Sequence, residues 1–277
     1  MFSQKARKRF GQHWLRSEKI LHKILAAAEV TRQDCVLEIG PGTGALTRWL
    51  LPLAKAVVAV EIDRDLCRKL GDQFAKEENF TLIQGDILEL DLAAALKQDR
   101  EFDVGLPNKV VANIPYYITG PILEKLLGTI AAPNPNPYDS IVLLVQKEVA
   151  ERLYAKPGNK AFGALSVRVQ YLADCELVCP VPAKAFQPPP KVDSAVVRLR
   201  PRMPQVMAQN PDYLEQLVKL GFSSKRKMLR NNLKAVLDRD ILTQLMTDLA
   251  IPETARAEDL SIEQWVSLSN TILKQSP

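Results

Sequence analysis

The sequence has no apolar run near the ~20 residues that a membrane span requires. Its first residues, "MFSQKARKRF", contain no apolar stretch of the kind that marks a secretory signal. They carry the charge of an organelle presequence, but the same residues join a motif met below. Histidine is scarce, with His13 and His22 the only two. The four cysteines, Cys35, Cys67, Cys175 and Cys179, form no paired CxxC units. So few candidate ligands at such spacing do not suit a zinc site, and no metal is expected. The thiols read as reduced, mostly buried residues of an intracellular protein. No internal repeat or low-complexity segment is visible, which sets aside repeat architectures.

What is present is enough for a real core. The chain has 277 residues, 47% of them hydrophobic, which fits one large or two ordinary domains. The net charge is +5, unevenly placed: residues 1–23 hold seven Lys/Arg against one acid, and 219–237 hold six against none. Two local basic patches on a mixed surface suit a polyanion, most simply nucleic acid. Charge alone would equally describe two solvated faces.

Short β-rich runs alternate with helical patterns. The runs are "CVLEIG" (35–40), "AVVAVEID" (56–63), "FTLIQGDI" (80–87), "KVVANI" (109–114) and "SIVLLVQ" (140–146). This is the signature of βαβ units around a parallel sheet, with continuous apolar runs for strands covered on both faces. Further on, "ELVCPVP" (176–182) and "SAVVRLRP" (194–201) flank "AKAFQPPPKVD". Three consecutive prolines fit neither a helix interior nor a central strand and make a stiff connector. "PRMPQVMAQNP" (201–211) reads as a linker. Beyond it, Leu229, Leu233, Val236 and Leu237 have the spacing of an apolar helix stripe, with Lys227, Arg230 and Lys234 on an adjoining face of the same helix. A small helical domain is expected from about residue 205 to the end.

"EIGPGTG" (38–44) follows the first strand and opens a helix. Glycines at 40, 42 and 44 let a ligand approach the backbone, at the strand end where open α/β sheets form their crevice. The run departs from the dinucleotide fingerprint in Pro41 and in Glu38, whose carboxylate would repel a pyrophosphate and suit a cationic or donating ligand. Glu61 closes the second strand, 21 residues after Gly40, where a carboxylate can accept both ribose hydroxyls. Asp86 ends the third, where it could accept from an adenine amino group. Together these describe a nucleoside pocket without a phosphate cradle, which fits S-adenosylmethionine. An NAD-binding domain or a plain strand–helix turn is the alternative for the glycine motif by itself.

"NIPY" (113–116) ends the fourth strand beside the same crevice. An exocyclic amine on adenine is a poor nucleophile because its lone pair is delocalised into the ring. To attack a methyl group it must move toward tetrahedral geometry. The Asn113 side-chain oxygen can accept one N–H and the Ile114 carbonyl the other. Pro115 fixes that carbonyl's direction and adds no donor, and Tyr116 can stack on the base. The bland alternative is a turn-capping asparagine with Tyr116 and Tyr117 in the core.

"EIGPGTGALT", "VEIDRDL", "GDIL" and "NIPYYITGPIL", in this order, resemble the ribosomal RNA adenine N6-dimethyltransferase family. "KRFGQHWL" (8–15) resembles its basic N-terminal signature, "FQPPPKVDSAVVRL" (186–199) its late proline-rich signature, and "FSSKRKMLRNNL" (222–233) the basic helix of its C-terminal domain. The resemblance covers nearly the whole chain and is nearest to the branch that acts on small-subunit (16S) rRNA. It implies a Rossmann-like S-adenosylmethionine-dependent methyltransferase domain over 1–204, with a mostly parallel seven-stranded sheet. A small all-α RNA-binding domain over 205–277 would follow. It implies N6,N6-dimethylation of two adjacent adenosines in the 3′-terminal hairpin loop of 16S rRNA, late in small-subunit assembly. By motif, the donor site would use His13, Leu15, Gly40, Glu61, Asp86 and Asn113, with Glu38, Gly42, Gly44, Ile62 and Ile87 beside them. Asn113 would double as the amine clamp, and Phe186 would cover the second face of the adenine stacked on Tyr116. Lys8, Arg9, Lys225, Arg226, Lys227, Arg230 and Lys234 would grip RNA phosphates. There is one departure: the signature's usual Gly-Gln-Asn-Phe is here Gly11-Gln12-His13-Trp14. A monomer is the default, acting in the bacterial cytoplasm, or in a plastid stroma after removal of a transit peptide. The competing readings are a resistance-type methyltransferase of large-subunit RNA and a nucleic-acid-binding assembly or transcription factor without catalysis.

Overall fold

A computed structural model describes residues 12–98 and 105–275. Two compact units emerge. Among the described residues, the first comprises 12–98, 105–126, 136–150 and 176–201, and the second 127–135, 151–175 and 202–275. A single linear cut at 204/205 therefore differs from the observed organisation in the two excursions, 127–135 and 151–175. The second excursion carries helix Ala164–Leu172, whose buried Val167, Val169 and Leu172 supply apolar surface to the helical unit.

In the first unit, β1 (Trp14–Leu15) precedes α1 (Glu18–Ala28), β2 (Cys35–Ile39), α2 (Thr47–Leu50), β3 (Ala56–Glu61) and α3 (Arg64–Gln73). Then come β4 (Phe80–Gln84), α4 (Leu92–Gln98), β5 (Lys109–Asn113), α5 (Thr119–Leu127), β6 (Ser140–Gln146) and α6 (Lys147–Tyr154). After α7 (Ala164–Leu172) the chain returns through β7 (Ala173–Val181), β8 (Phe186–Gln187) and β9 (Ser194–Pro201). The main sheet has seven strands in the order β4-β3-β2-β5-β6-β9-β7. The pairs from β4 to β6 are parallel, and β9 runs antiparallel to β6. The predicted mostly parallel seven-stranded sheet is what forms.

Every residue of β2 and β3 is buried, as a strand covered on both faces requires. On one face, α1 buries Ile20, Leu21, Ile24, Leu25 and Ala28. Their i, i+1, i+4, i+5, i+8 spacing makes a single stripe, and each large side chain contributes about 1.5–3 kcal/mol. Chain order reverses between β2 and β5, so the carboxyl ends of β2, β3, β4 and β5 open onto a crevice at the switch point.

The helical unit contains α8 (Pro211–Gly221), α9 (Leu229–Asn232), α10 (Arg239–Asp248) and α11 (Ile262–Gln275). Asn210 caps α8 through Tyr213 N–H, with Pro211 at the first helical position. The expected long basic helix across 219–237 is replaced by turns around the four-residue α9. The Asn232 side chain donates to the carbonyls of Gly221 and Ser224, at 2.6 and 3.0 Å. It thereby stabilises a turn where a continuous helix would need those carbonyls for itself. Leu229 and Leu233 of the predicted stripe are nevertheless fully buried.

Candidate active site

The crevice is a cavity lined by the ends of four parallel strands and by the segment 12–14 laid across them. Gly40 and Gly42 follow β2 with φ of +65° and +61°, a left-handed conformation that side chains disfavour. A Cβ on Gly42 would come 3.1 Å from the Trp14 ring, so the turn is also packed from above. Gly44 serves a different neighbour. Its φ is +73°, and a Cβ there would meet Phe74 at 2.7 Å. It lies outside the cavity wall.

Glu61 ends β3 and reaches into the cavity. It accepts from Gly42 N–H at 3.2 Å and from Asp63 N–H at 3.0 Å. Burial raises its pKa above the usual carboxylate value, and these two bonds oppose the rise. Asp86 follows β4 and accepts from Leu88 N–H at 2.9 Å, which orients its carboxylate at the wall beside Ile87. Ile62, 44% exposed, completes that side.

Glu38 stands behind the glycine turn. It is 2% exposed, and its Oε2 accepts from Thr47 Oγ1 at 2.6 Å. Burial pushes its pKa up to about 8, with the nearby Glu61 charge adding to the rise and the Thr47 bond opposing it. With Asn113, Trp14 and Leu15 it lines a smaller void beneath the turn.

Asn113 is the last residue of β5, in register with Leu144 of β6. Its Nδ2 donates to the His13 backbone carbonyl at 3.1 Å, which leaves Oδ1 as the amide's acceptor. Ile114 and Pro115 follow at the cavity wall, with Pro115 at φ −60° and ψ 130°. The Tyr116 hydroxyl shares a 2.5 Å hydrogen bond with Ser194 Oγ, on β9. Its phenol pKa is raised by burial. The His13 ring faces Tyr116, with centroids 6.0 Å apart and an interplanar angle of 21°. His13 Nδ1 lies 2.9 Å from the Pro188 carbonyl.

The structure thus brings together His13, Gly40, Gly42, Glu61, Ile62, Asp86, Ile87, Asn113, Ile114, Pro115 and Tyr116. It places Leu15, Glu38 and Gly44 outside that wall. Phe186 also departs from its expected place across the pocket. It is 3% exposed and packed in the core, because β8 pairs antiparallel with β1 and sets Phe186 opposite Leu15. Residues that motif reading did not single out include Gln12, Leu66, Gly85 and Ile118 in the wall, with Thr47 and Ser194 as anchors. Thr47 belongs to the helical continuation of the glycine motif; Ser194 is 78 residues from Tyr116 and had no local signal.

Of the expected RNA contacts, Lys225, Arg226, Lys227 and Lys234 are exposed. Arg230 is half-buried and paired with Glu253 at 3.1 Å. Lys8 and Arg9 lie outside the described residues.

The cavity suits a nucleoside donor that bears positive charge and no phosphate. The buried Glu61 carboxyl stands at its wall, while Glu38 behind it holds its proton up to about pH 8 and adds no charge near neutrality. No Lys or Arg is among its described lining residues, so nothing there would neutralise a pyrophosphate. The buried Trp14 indole Nε1 has no hydrogen-bond partner among the described residues, a donor left over beneath the turn.

Comparison with known proteins agrees with this chemistry. The sequence profile for "Ribosomal RNA adenine dimethylase" matches residues 3–274. Ribosomal RNA small subunit methyltransferase A of Trichormus variabilis is 66% identical over 96% of this chain and 97% of its own. The protein of that name from Synechococcus elongatus is 57% identical over 95% and 94%. Among solved structures, a dimethyladenosine transferase from Plasmodium falciparum superposes with a TM-score of 0.78 at 28% identity, covering 95% of this chain and 98% of that one. The 23S rRNA methyltransferase ErmE superposes at 0.73 with 27% identity, covering 94% and 99%.

Proposed function

The chain belongs to the ribosomal RNA adenine dimethylase family and is a methyltransferase, and we propose from that premise a specific reaction. It dimethylates the N6 amines of two adjacent adenosines in the 3′-terminal hairpin loop of 16S rRNA, within an immature small subunit. S-adenosylmethionine, when bound, supplies an electrophilic methyl group on a sulfonium centre. The acidic groups at the strand ends hold it: Glu61 for the ribose hydroxyls and Asp86 for the adenine amine. The glycine turn lets it lie against the backbone.

The observation that carries the reading is the state of Asn113. Its amide nitrogen is tied to His13 O at 3.1 Å, so Oδ1 is the atom presented to an incoming amine. Accepting one N–H there, and the other at the Ile114 carbonyl, draws the amine lone pair out of conjugation as the methyl is transferred. The stabilisation is greatest where the nitrogen becomes tetrahedral and cationic, so it acts on the transition state. The proton leaves after transfer, when the amine is acidic, and no strong base is needed at the start. Tyr116, held by Ser194, offers its face to the base. A loop adenosine is cheaper to unstack than one in a duplex, which favours a hairpin target. The exposed Lys225, Arg226, Lys227 and Lys234 supply sequence-independent grip on phosphates. The named relatives are bacterial, and a monomer acting in the cytoplasm goes with this reading.

The test is methyl transfer from labelled S-adenosylmethionine to under-methylated small subunits, with isolated large subunits as control. The wild type should yield dimethyladenosine on small subunits only, and Asn113→Ala should lose about 10²–10³ in kcat. Labelling confined to large subunits would move the chain beside the 23S enzyme. Donor binding without transfer to either subunit would leave a binding factor. Undiminished transfer by Asn113→Ala would remove the clamp.

A further inference from the structure

We propose that the turn 156–160, between α6 and α7, is a further phosphate-gripping element of the helical unit, which extends the basic turn at 225–227. It rests on the RNA-methyltransferase reading above and adds a contact that none of the sequence motifs contains. The turn lies in the excursion 151–175, which joins the helical unit although its sequence neighbours on both sides belong to the first unit. The basic residues expected to meet RNA lie elsewhere, at the amino terminus and at 225–234.

The turn is built to hold its shape. Asn159 N–H donates to the Lys156 carbonyl at 3.1 Å and closes four residues into a turn. Pro157 occupies its second position and Gly158, with φ of +83°, its third, which is the pattern of a type II turn. The Asn159 side-chain oxygen accepts from Ala161 N–H at 2.8 Å, and the Asn159 carbonyl accepts from Phe162 N–H at 2.8 Å. Phe162 is fully buried and anchors the chain as it leaves. Two contacts dock the turn on the rest of the unit. Gly158 N–H donates to the Glu258 carbonyl at 2.8 Å, and Lys225 Nζ donates to the Lys160 carbonyl at 3.4 Å. All five residues of the turn are nonetheless exposed.

The Lys225 contact sets Lys160 beside a basic residue 65 positions away in sequence. Among the described residues, Lys156, Lys160, Lys225, Arg226 and Lys227 form no ion pair, whereas Arg230 is paired with Glu253. Charges of one sign gathered in this way repel one another over a Debye length of ~8 Å, at a small cost to the fold. A nucleic-acid strand answers several of them at once with successive phosphates. Because the turn is shaped before binding, less ordering is lost than on a flexible lysine-rich segment. Lysines on a turn of this kind grip the backbone and fix register, so the choice of adenine stays with the Asn113 site.

The experiment measures binding of the full chain to under-methylated small subunits and to isolated large subunits between about 50 and 200 mM salt. Three double variants are compared with the wild type. Lys156→Ala with Lys160→Ala removes the two charges of the turn, and Lys156→Arg with Lys160→Arg keeps them. Lys55→Ala with Lys76→Ala removes two exposed charges of the first unit as a control. The turn's alanine pair should flatten the slope of log affinity against log salt by about 1–2, close to one phosphate per lysine. The arginine pair and the first-unit pair should keep the wild-type slope. Melting temperature and donor affinity should match the wild type in all three. An unchanged slope for the turn's alanine pair, or equal flattening by the first-unit pair, overturns the proposal. Either result with methyl transfer to small subunits intact leaves the 16S reading standing. Flattening on large subunits, with transfer confined to them, supports the turn and sinks the 16S reading.

Discussion

Replacing Glu38 by Gln should abolish a defined part of the pH dependence of stability. Glu38 is 2% exposed, and its side chain is bonded to Thr47 Oγ1 at 2.6 Å. In the folded chain burial keeps the proton on the carboxyl until about pH 8, against an ordinary value of 4.5. The folded state therefore binds more protons than the unfolded state between those two values. The contribution is fully present below pH 4.5 and is lost as pH rises through about 8. The slope is ~1.4 kcal/mol per pH unit, so the loss between pH 4.5 and 7 is on the order of 3 kcal/mol. Gln has the same shape, can still accept from Thr47, and does not titrate. Urea unfolding of both proteins at half-unit steps from pH 5 to pH 7.5 measures the difference directly. The wild type should lose ground to Glu38→Gln by about 1 kcal/mol per pH unit across that range. Glu61, also raised, titrates in both proteins and largely cancels in the comparison. Parallel stability profiles would refute the reasoning, because they would mean that Glu38 is already ionised in the folded chain.

Gly44→Ala should cost about 2–4 kcal/mol in urea unfolding, combining positive-φ strain with a Cβ forced against Phe74. Its folded fraction should keep donor affinity; normal stability with lost donor binding would refute the packing role. Glu61→Gln should weaken S-adenosylmethionine about 10- to 100-fold by calorimetry, through loss of a charge-assisted acceptor that faces the cavity. Replacing Lys225, Arg226 and Lys227 together by Ala should flatten the slope of log affinity for RNA against log salt by up to ~2–3, and an unchanged slope would place phosphate contacts elsewhere.

The acidic strand ends were legible in the sequence because each lies at the close of a short apolar run. Strand periodicity and one glycine turn were enough to put Gly40, Glu61, Asp86 and Asn113 around one crevice. Phe186 was misplaced because its burial comes from pairing with Leu15, 171 positions earlier, and no local pattern encodes that pairing. The basic helix over 219–237 was overextended for another reason. Apolar spacing at Leu229 and Leu233 is correct for burial, but the Asn232 amide competes for the carbonyls of Gly221 and Ser224. The recruitment of 127–135 and 151–175 into the helical unit was equally hidden, since a linear scan for linkers sees only the boundary near Pro201.

The two-strand ribbon of β1 and β8 has a consequence for synthesis. It joins Trp14 to Gln187, and His13 reaches Pro188 beside it. The glycine turn and the asparagine clamp are translated early, yet the segment that roofs them is anchored by residues made some 170 positions later. At ~5–20 residues per second, at least several seconds separate the first half of the site from the second. A nascent chain stopped before Phe186 would hold the glycine turn and strand-end acids without their roof. The pocket would then close only after about two-thirds of the 277 residues have been made, so a shorter nascent copy lacks the roof over its strand-end acids.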